Sequence, residues 1–449
     1  MYNNNETIYA PLTIKGRCSV YVIRISGKAT LECLKILGVK KELKHREATV
    51  CNLKDYLNNN ENLDEALLIY FKGPNSFTGE DVCEINLHCS DYIIQRVFKI
   101  LSSIKNVRLA EHGEFSRRAF LNGKIDLMQA ESIVDLIDSK TELQHKKALE
   151  QLKGKNSKFY DDLRTKILDI LSNLEALIDF PEDEIDPTII NLAENKVFDI
   201  INFIENILND NNTGKKIKDG IKISIIGEPN AGKSSLLNYL SGEDIAIVSD
   251  IAGTTRDILS TTINIDGIPV ILYDTAGIRI TEDPIEKEGV NRAIKNAKDT
   301  DLKILMLDPN NLNINENILN LIDKDTIIVV NKIDIFNIDI NNIKNLFPDN
   351  KILQISVNKE ININLLLEEI SNFIQKNITP YTDTFITNER YRVELSNALD
   401  NLKNINFSMP IEIISELVRK SAFYVGRITG VINSEEILNN IFSKFCIGK

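Results

Sequence analysis

Apolar residues follow three spacings along the chain, and each spacing predicts a different kind of structure. Up to about residue 120, short apolar runs such as Ser19–Ile25 and Ala66–Phe71 alternate with Gly, Pro and Asn turns, which predicts strands. From about 125 to 210 the apolar residues recur at helical spacing. From Ile221 to about Ile374, strand runs alternate with helical stretches, which is typical of an α/β domain. These strand runs are 221–226, 270–273, 303–307, 326–330 and 352–355.

Local signals mark the limits of the helical region. Asp126 and Gln129 match a capping box, in which each residue bonds the backbone N–H of the other at a helix start. Asn211–Gly214 and the lysines that follow predict a linker. After Pro380, a helical tail of about 70 residues is short for a separate domain, so we expect it to pack on the helices of 125–210. The α/β domain would then be an insertion between two halves of one helical domain.

The composition argues against several broad classes of protein. The 449 residues carry 53 Lys and Arg against 65 Asp and Glu, and a net charge of −12 disfavours nucleic-acid binding over the whole surface, though not at a local basic patch. We expect no membrane span, because no run of about 18 apolar residues occurs, and no export signal is evident. Six cysteines without a CxxC pair favour a cytoplasmic protein with reduced thiols.

A phosphate-binding motif follows the first strand of the α/β region. Gly227-Glu-Pro-Asn-Ala-Gly-Lys-Ser234 matches GxxxxGK[ST], with a strand before it and a helical stretch after it, as the motif requires. Its glycines let backbone N–H groups approach phosphate oxygens, and the start of the helix adds a favourable dipole. Lys233 would neutralise the β- and γ-phosphates, and the Ser234 hydroxyl would ligate Mg²⁺.

Three further motifs follow later strands and indicate a guanine nucleotide. Asp274-Thr-Ala-Gly277 offers a carboxylate for Mg²⁺ and a backbone N–H for the γ-phosphate. In Asn331-Lys-Ile-Asp334, the Asp334 carboxylate can accept from guanine N1–H and the 2-amino group, whereas adenine would leave this buried carboxylate unpaired. Ser356-Val-Asn358 stands where GTPases usually have Ser-Ala-Lys, and it keeps the Val357 N–H for guanine O6.

The residues that would drive hydrolysis are open to two interpretations. Many small GTPases orient water with a Gln after the Asp-Thr-Ala-Gly glycine, but this chain has Ile278, which cannot hydrogen-bond. Either the protein is a slow switch that needs an activator, or other residues act in its place. Glu286 could orient the water, or it could be a solvated carboxylate at a helix start. A monovalent cation beside Asn230, or else Arg256, could supply the charge of an arginine finger.

The motifs together contain the residues that we predict to bind the nucleotide and its Mg²⁺. Within Ala246–Asp257, Thr255 offers the second hydroxyl for Mg²⁺, beside Ser234. Lys233 and Thr255 are predicted catalytic residues. The predicted GTP-binding residues are Asn230, Ala231, Gly232, Lys233, Ser234, Ser235, Ser249, Asp250, Ile251, Ala252, Gly253, Thr254, Thr255, Asp274, Thr275, Ala276, Gly277, Asn331, Lys332, Asp334, Ser356, Val357 and Asn358.

Motifs along essentially the whole chain resemble those of the MnmE (TrmE) family of tRNA-modification GTPases. They are Gly227–Ser235, Ser249–Asp257, Arg24–Gly27, Gly73–Asp81, Gly113–Ser116, Ala119–Asp126 and the terminal Phe445-Cys-Ile-Gly-Lys449. The terminal Cys-Ile-Gly-Lys is the most diagnostic, because generic GTPases lack it. The resemblance implies a multidomain α/β and α+β fold. Its parts would be an N-terminal α+β tetrahydrofolate-binding and dimerisation domain (1–120), a helical domain (121–215 and 379–449) and an inserted Ras-like P-loop GTPase domain (216–378).

The resemblance also implies an activity shared with partners. The protein would be a cytoplasmic homodimer that forms a heterotetramer with the FAD-containing protein MnmG. Using GTP hydrolysis and 5-formyl- or methylene-tetrahydrofolate, the complex would build a (carboxymethyl)aminomethyl-type group on C5 of the wobble uridine (position 34) of certain tRNAs. Two G domains would pair around K⁺, and Glu286 would orient the attacking water. The implied K⁺ ligands are Asn230, Ser249, Ile251 and Thr254.

The resemblance assigns folate contacts as well. They would be Arg24, Glu84, Lys124 and Lys449. A carboxylate suits the amino-pyrimidinone edge of a reduced pterin, and cations suit the carboxylates of its glutamate tail. Without the resemblance, Arg24 would be an edge-strand charge and Lys124 a cation beside a helix. Cys446 is either a small buried residue near the end of the last helix or a thiol near the one-carbon site.

Two observations keep other outcomes open. The acidic net charge favours an alternative function as a regulatory or ribosome-assembly GTPase, in which the α/β domain is a switch and the flanking regions form a scaffold. If the protein does act on tRNA, the same charge means that a partner supplies most of the tRNA-binding surface. The chain also departs from the family pattern in Gly16–Tyr21, in His88-Cys89-Ser90 where His-Gly-Gly is typical, and at His112, which replaces a proline. Glycine at such positions lets a ligand or another backbone segment approach closely, and the side chains present in this sequence would occupy that space.

Overall fold

The computed structural model describes most of the chain, which divides into two compact units. The described residues are 6–14, 16–179, 188–210, 212–242, 246–247, 260–274, 294–295, 297–312, 314–336, 340–378, 385–432 and 435–449. Unit 1 comprises Met1–Val134, Glu150–Leu168 and Ala422–Lys449, and unit 2 comprises Asp135–Leu149 and Asp169–Ser421. The four domain ranges derived from the sequence stay a prediction. Among the described helices, none combines the length and apolar character needed to cross a membrane.

The sheet of unit 1 contains six described strands in the order β3-β4-β5-β2-β1-β6. They are β1 (Thr7–Pro11), β2 (Val20–Ser26), β3 (Ala48–Asp55), β4 (Glu61–Phe71), β5 (Val82–His88) and β6 (Val107–Leu109). Neighbours are antiparallel except β1 and β6. Buried and partly exposed residues alternate along β2, as in a strand with one face on the core. Helices α1 (Thr30–Ile36) and α2 (Asp91–Ser102) supply Leu34 and Val97 to that core.

The sheet of unit 2 contains seven described strands in the order β13-β12-β11-β7-β10-β9-β8. They are β7 (Ile221–Gly227), β8 (Ala246–Ile247), β9 (Ser260–Ile265), β10 (Ile268–Asp274), β11 (Leu302–Leu307), β12 (Ile327–Val330) and β13 (Ile352–Gln354). The five strands from β13 to β10 are parallel, and β9 and β8 are antiparallel to their neighbours. Every residue of β11 and β12 is buried, because helices cover both faces of a parallel sheet.

The described part of the chain contains further helices besides α1 and α2. The remaining described helices are α3 (Glu114–Leu121), α4 (Leu127–Asp138), α5 (Glu142–Leu152), α6 (Lys155–Asp179), α7 (Thr188–Leu208), α8 (Thr213–Asp219), α9 (Lys233–Gly242), α10 (Glu316–Leu319), α11 (Ile340–Leu346), α12 (Ile363–Asn377), α13 (Glu389–Lys403), α14 (Ile411–Thr429) and α15 (Glu435–Phe442). Leu236 of α9 and Leu366 of α12 share a buried cluster with Ile225 of β7. The next residue, Ile226, points to the opposite face, where Ile343 of α11 joins its cluster. The predicted multidomain fold with α/β and α+β parts is therefore confirmed.

The capping box at the start of α4 has the predicted geometry. The Asp126 N–H donates to Gln129 Oε1 at 2.9 Å, and the Gln129 N–H donates to Asp126 Oδ1 at 2.8 Å. Helix α13, from the tail of the chain, packs on α7, where Arg392 donates to the Leu208 carbonyl at 2.8 Å. This is the contact that we expect between the tail and the helices of 125–210.

The linker predicted after Asn211 is wrong, because the segment forms α8. The Thr213 hydroxyl donates to the Asp210 carbonyl at 2.6 Å and helps to begin the helix. Gly214 and Ile217 are buried. A Cβ on Gly214 would lie 2.1 Å from the Ile386 carbonyl oxygen, so the glycine permits close backbone packing. The glycine thus serves a tertiary contact that a local sequence pattern does not reveal.

Candidate functional site

Three motif segments of unit 2, and Asp274 as the described residue of a fourth motif, lie at one edge of its sheet. The segments follow β7, β12 and β13, Asp274 ends β10, and the carboxyl ends of parallel strands are where ligands bind in open α/β sheets. Segments after three of these strands line a cavity of about 400 Å³. Its lining residues are Asn230, Gly232, Lys233, Ser234, Ser235, Asn331, Lys332, Asp334, Ser356 and Asn358. All ten belong to the set that the sequence assigns to GTP.

Glycines of the phosphate-binding loop sit where no side chain fits. Gly227 has a φ of 147°, and a Cβ there would lie 2.3 Å from the Met306 carbonyl oxygen. Gly232 has a φ of 101°, and a Cβ there would lie 2.2 Å from Asn331 Nδ2. Asn331 in turn donates to the Ala231 carbonyl at 2.9 Å. The loop therefore lies directly against the segment that follows β12.

Lys233 and Ser234 occupy the first turn of α9. Lys233 is buried, and its Nζ donates to the carbonyls of Gly227 and Glu228 at 2.8 and 2.9 Å. Burial lowers the pKa of its ammonium group, while the carboxylates of Asp274 and Glu228 act in the opposite direction. The Ser234 hydroxyl donates to Asp274 Oδ2 at 2.6 Å. Asp274 Oδ1 is buried and has no hydrogen-bond partner among the described residues.

The end of the cavity assigned to guanine is held by side-chain contacts. Ser356 is fully buried, and its hydroxyl donates to Asp334 Oδ1 at 2.5 Å. Asp334 itself is exposed, contrary to the expected buried carboxylate, because it lines a cavity that is open to solvent. The Val357 N–H, which the sequence assigns to guanine O6, donates to Asn331 Oδ1 at 3.1 Å. Asn331 therefore links the motif after β13 to the phosphate-binding loop.

The structure adds Asp308, which the sequence analysis missed. Asp308 directly follows β11, and its Oδ2 accepts from Lys332 Nζ at 2.6 Å. Burial would raise the pKa of this carboxyl, but the hydrogen bond and charge of Lys332, with the Asn310 N–H, lower it overall. The ion pair fixes the far end of Lys332, which lines the cavity. An acid at the end of a predicted strand, as at Asp274, was the signal that could have found it.

Many of the predicted switch residues lie outside the described part of the chain. They are the GTP and Mg²⁺ candidates Ser249, Asp250, Ile251, Ala252, Gly253, Thr254, Thr255, Thr275, Ala276 and Gly277, with Ile278, Arg256 and Glu286. The K⁺ ligands Ser249, Ile251 and Thr254 are among them. Asn230 is described, lines the cavity and has a φ of 65°. The roles of all these residues stay predictions.

A second cluster of predicted residues lies in unit 1. Arg24 of β2 and Glu84 of β5 are register partners, and Arg24 Nε and Nη2 donate to Glu84 Oε1 at 3.0 and 2.7 Å. The Arg24 guanidinium also lies 5.1 and 5.6 Å from the ring centres of Phe77 and Phe115. Burial lowers the pKa of Lys449, the nearby Arg24 charge lowers it further, and Cys446 and Glu84 oppose both. Three of the four folate candidates are therefore neighbours.

The fourth candidate, Lys124, contacts the loop that contains Phe77. Its Nζ donates to the Pro74 carbonyl at 2.9 Å. The chain's last residues pair with the start of α3, since the Phe115 N–H donates to the Lys449 carbonyl at 3.2 Å. Cys446 is exposed, so the interpretation of a small buried residue is wrong for it. The nearby thiol group opposes the lowering of the pKa of Lys449, and its role near the one-carbon site stays a prediction.

Comparisons with known proteins cover nearly the whole length of the chain. The model of the MnmE helical domain matches residues 127–446, and the model of the GTP-binding protein TrmE N-terminus matches residues 7–124. The tRNA modification GTPase MnmE of Rickettsia rickettsii (strain Sheila Smith) is 46% identical over 99% of this chain and 100% of its own length. That of Rickettsia canadensis (strain McKiel) is also 46% identical, with the same coverage. A crystal structure of an Aquifex aeolicus Era variant overlaps with a TM-score of 0.29 and 26% identity, over 41% of this chain and 67% of that one.

Proposed function

Because the chain belongs to the MnmE family of tRNA modification GTPases, we propose that it hydrolyses GTP to drive modification of C5 of the wobble uridine in certain tRNAs. The observation that carries this proposal is one cavity lined by ten residues from the motifs for phosphate and guanine. The product would be a (carboxymethyl)aminomethyl-type group. The one-carbon unit would come from 5-formyl- or methylene-tetrahydrofolate, and the FAD-containing protein MnmG would be the partner in a heterotetramer.

The phosphate end of the cavity has the groups that a triphosphate with Mg²⁺ needs. The ion would neutralise charge on the phosphates when bound. Ser234 would ligate it together with Thr255, which lies outside the described residues. Asp274 Oδ1, buried and without a described partner, suits a hydrogen bond to a metal-bound water. Lys233 would exchange the carbonyls of Gly227 and Glu228 for phosphate oxygens, which offset the cost of its burial.

For hydrolysis we assign the water-orienting role to Glu286 and K⁺ binding to Asn230, Ser249, Ile251 and Thr254. A cation beside the phosphates would take the place of an arginine finger, which is consistent with Ile278 at the usual glutamine position. The position of Asn230 in the cavity lining supports the assignment. Because two G domains would pair around K⁺, the working form would be a homodimer.

The cluster in unit 1 is our candidate for the folate site. Arg24, Glu84 and Lys449 offer two cations and one carboxylate beside Phe77 and Phe115. Aromatic rings and charged groups of both signs suit a flat pterin with an anionic tail. Lys124 would reach the tail from the edge of the cluster. The exposed Cys446 thiol belongs to the residue three positions before Lys449, and we propose that it lies close to where the one-carbon unit would be held.

Mass spectrometry of tRNA tests this proposed function. Cells that lack the protein should lose the modified wobble uridine, and the full chain should restore it. A chain with Lys233→Ala should fail to restore it, whereas Lys359→Ala, which changes an exposed lysine outside the cavity lining, should succeed. Unaltered wobble uridine in the deleted cells would contradict the proposal and favour a regulatory or assembly GTPase.

A further inference from the structure

Two thiols in unit 1 lie unusually close together. Cys18 Sγ and Cys89 Sγ are 2.7 Å apart, and both cysteines are free. A disulfide bond brings two sulfur atoms to about 2.05 Å, so a small movement separates this pair from a covalent link. Cys18 is exposed and Cys89 is partly exposed, so small solutes can reach both.

The backbone of the sheet brings the two thiols together. β2 and β5 are antiparallel neighbours, and Val20 and His88 form the first register pair of β2 with β5. One residue beyond this pair, the Cys89 N–H donates to the Ser19 carbonyl at 3.4 Å. Cys89 Sγ also lies 3.3 Å from the Gly16 carbonyl oxygen. The approach of the thiols therefore follows from strand pairing rather than from a chance meeting of loops.

The other cysteines differ from this pair. Cys33, Cys51 and Cys83 are buried, so oxidants in solution have little access to their sulfur atoms. The hydrogen bond with Cys89 raises the pKa of Cys18, as burial does for the three buried thiols, so the two sets differ in access rather than in the direction of the pKa. Cys446 is exposed and free, and among the described residues no hydrogen bond joins it to another thiol. Cys18 and Cys89 thus combine access to solvent with a partner thiol at short range.

We propose that Cys18 and Cys89 form a reversible redox modification site. A hydroperoxide would oxidise one thiol to a sulfenic acid, with its own O–O bond reduced to water or an alcohol. The second thiol would attack the sulfenic sulfur, form the S–S bond and release water. With hydrogen peroxide, two thiols and one peroxide therefore give one disulfide and two waters. A small dithiol would reverse the step by thiol–disulfide exchange.

The side chains around Cys18 and Cys89 favour disulfide formation over metal binding. Structural zinc sites use four ligands, mostly Cys and His. Among the described residues, no group of three or more His, Cys, Asp and Glu side chains could hold a metal ion. His88, next to Cys89 in sequence, is occupied by Asp64, with Nδ1 and Oδ1 2.7 Å apart. Disulfides of intracellular proteins are usually transient and catalytic or redox-sensing, and an exposed pair of free thiols at short range fits that class.

The oxidised pair would tie the end of the β1–β2 loop to the segment that begins α2. The same two strands carry Arg24 and Glu84, so the link would hold together the strand pair that presents them. The loop begins at Leu12, and the C-terminal Gly448 packs against the preceding residue, Pro11. The modification would thus restrict a strand pair and a loop that neighbour the chain's C-terminus. It does not depend on the proposed function.

Peptide mapping after mild oxidation tests the proposal. The full-length protein is treated with one equivalent of hydrogen peroxide, alkylated and cleaved with trypsin and a glutamate-specific protease. The second protease separates Cys83 from Cys89, because Glu84 lies between them. We expect a peptide pair joined through Cys18 and Cys89 that dithiothreitol separates, formed about tenfold faster in the folded chain than in urea.

Two cysteine variants test whether the joined peptide depends on this pair of thiols. Cys18→Ser should abolish the joined peptide, and Cys446→Ser, the matched exposed cysteine, should leave it unchanged. Separate adducts on Cys18 and Cys89, links to other cysteines or a disulfide between two chains would each overturn the proposal. Equal rates in folded and unfolded protein would do the same.

Discussion

At the scale of single residues, Gly232 is the position where the cavity tolerates least change. Its φ of 101° and the 2.2 Å approach of Asn331 Nδ2 leave no space for a methyl group. We expect Gly232→Ala to displace Asn331 from the Ala231 carbonyl and the Val357 N–H, and to weaken GTP binding by about tenfold or more. Titration with a fluorescent GTP analogue measures the affinity.

Gly242→Ala is the matched control for this variant. Gly242 ends the same helix, α9, and a Cβ there would meet nothing within 4 Å. Its GTP affinity should equal that of the unaltered protein. Equal affinities for Gly232→Ala and Gly242→Ala would show that the contact with Asn331 does not support the nucleotide.

Some residues of the site could be predicted from the sequence, and others could not. The phosphate-loop residues could be predicted because their roles require particular residue types at fixed spacing. Asp308 could have been noticed as an acid at the end of a strand, but its ion pair with Lys332 could not be predicted, because Lys332 follows a different strand and only the folded sheet brings the two together. The close approach of Cys18 to Cys89 depends in the same way on strand register.

At the scale of elements, α3 is held to β6 by a buried carboxylate. Glu114 is fully buried and accepts from Arg108 at 2.8 Å and from Arg118 at 2.9 Å. Burial would raise its pKa, but these arginines and the Glu111 N–H lower it overall. A lowered pKa in the folded state stabilises the fold above the ordinary value of 4.5, and this contribution is lost as the pH falls through the folded-state pKa.

Glu114→Gln should therefore cost about 1–3 kcal/mol of unfolding free energy at pH 7, because the buried Arg118 and the partly buried Arg108 each lose one of two carboxylate partners and keep the other. The difference from the unaltered protein should shrink below pH 4.5. Urea unfolding at a series of pH values measures both effects. Glu47→Gln, at an exposed residue with a 3.6 Å ion pair, should change little. A pH-independent loss for Glu114→Gln would point to packing rather than charge.

Helix α8 forms where the sequence pattern predicts a linker, and its packing can be tested by mutation. A side chain at Gly214 would meet the Ile386 carbonyl oxygen at 2.1 Å. Gly214→Ala should lower the unfolding free energy by about 1–3 kcal/mol, as overpacking usually does. Thermal unfolding beside Gly242→Ala measures this loss. If Gly214→Ala were neutral, or stabilising as alanine is in a free helix, the packing of α8 would differ from that described.

The elements themselves could mostly be predicted. The apolar runs of the α/β region correspond to β7, β10, β11, β12 and β13, because a parallel sheet buried on both faces needs nearly continuous apolar strands. The capping box of α4 is local in sequence and was equally clear. Helix α8 was missed because its glycine and lysines match a linker, and only the packing against Ile386 explains the glycine.

At the scale of the whole molecule, the proposed pairing of G domains predicts a specific cation effect. GTP turnover should be at least about tenfold faster in K⁺ than in Na⁺ at equal ionic strength, because a fitted cation would offset charge on the phosphates. Turnover per chain should also rise with protein concentration. A phosphate-release assay measures both. Equal rates in the two salts would remove the cation from the mechanism.

The central claim is that the cavity beside Lys233 and Asp334 binds a guanine nucleotide. The most direct measurement is competition of GTP, ATP and xanthosine triphosphate for the purified protein with Mg²⁺. We expect ATP to bind at least about 100-fold more weakly than GTP, and Asp334→Asn to shift the preference toward the xanthosine nucleotide. Asp325→Asn, at an exposed residue outside the cavity lining, should retain the preference for GTP. Equal affinity for ATP and GTP would contradict the account.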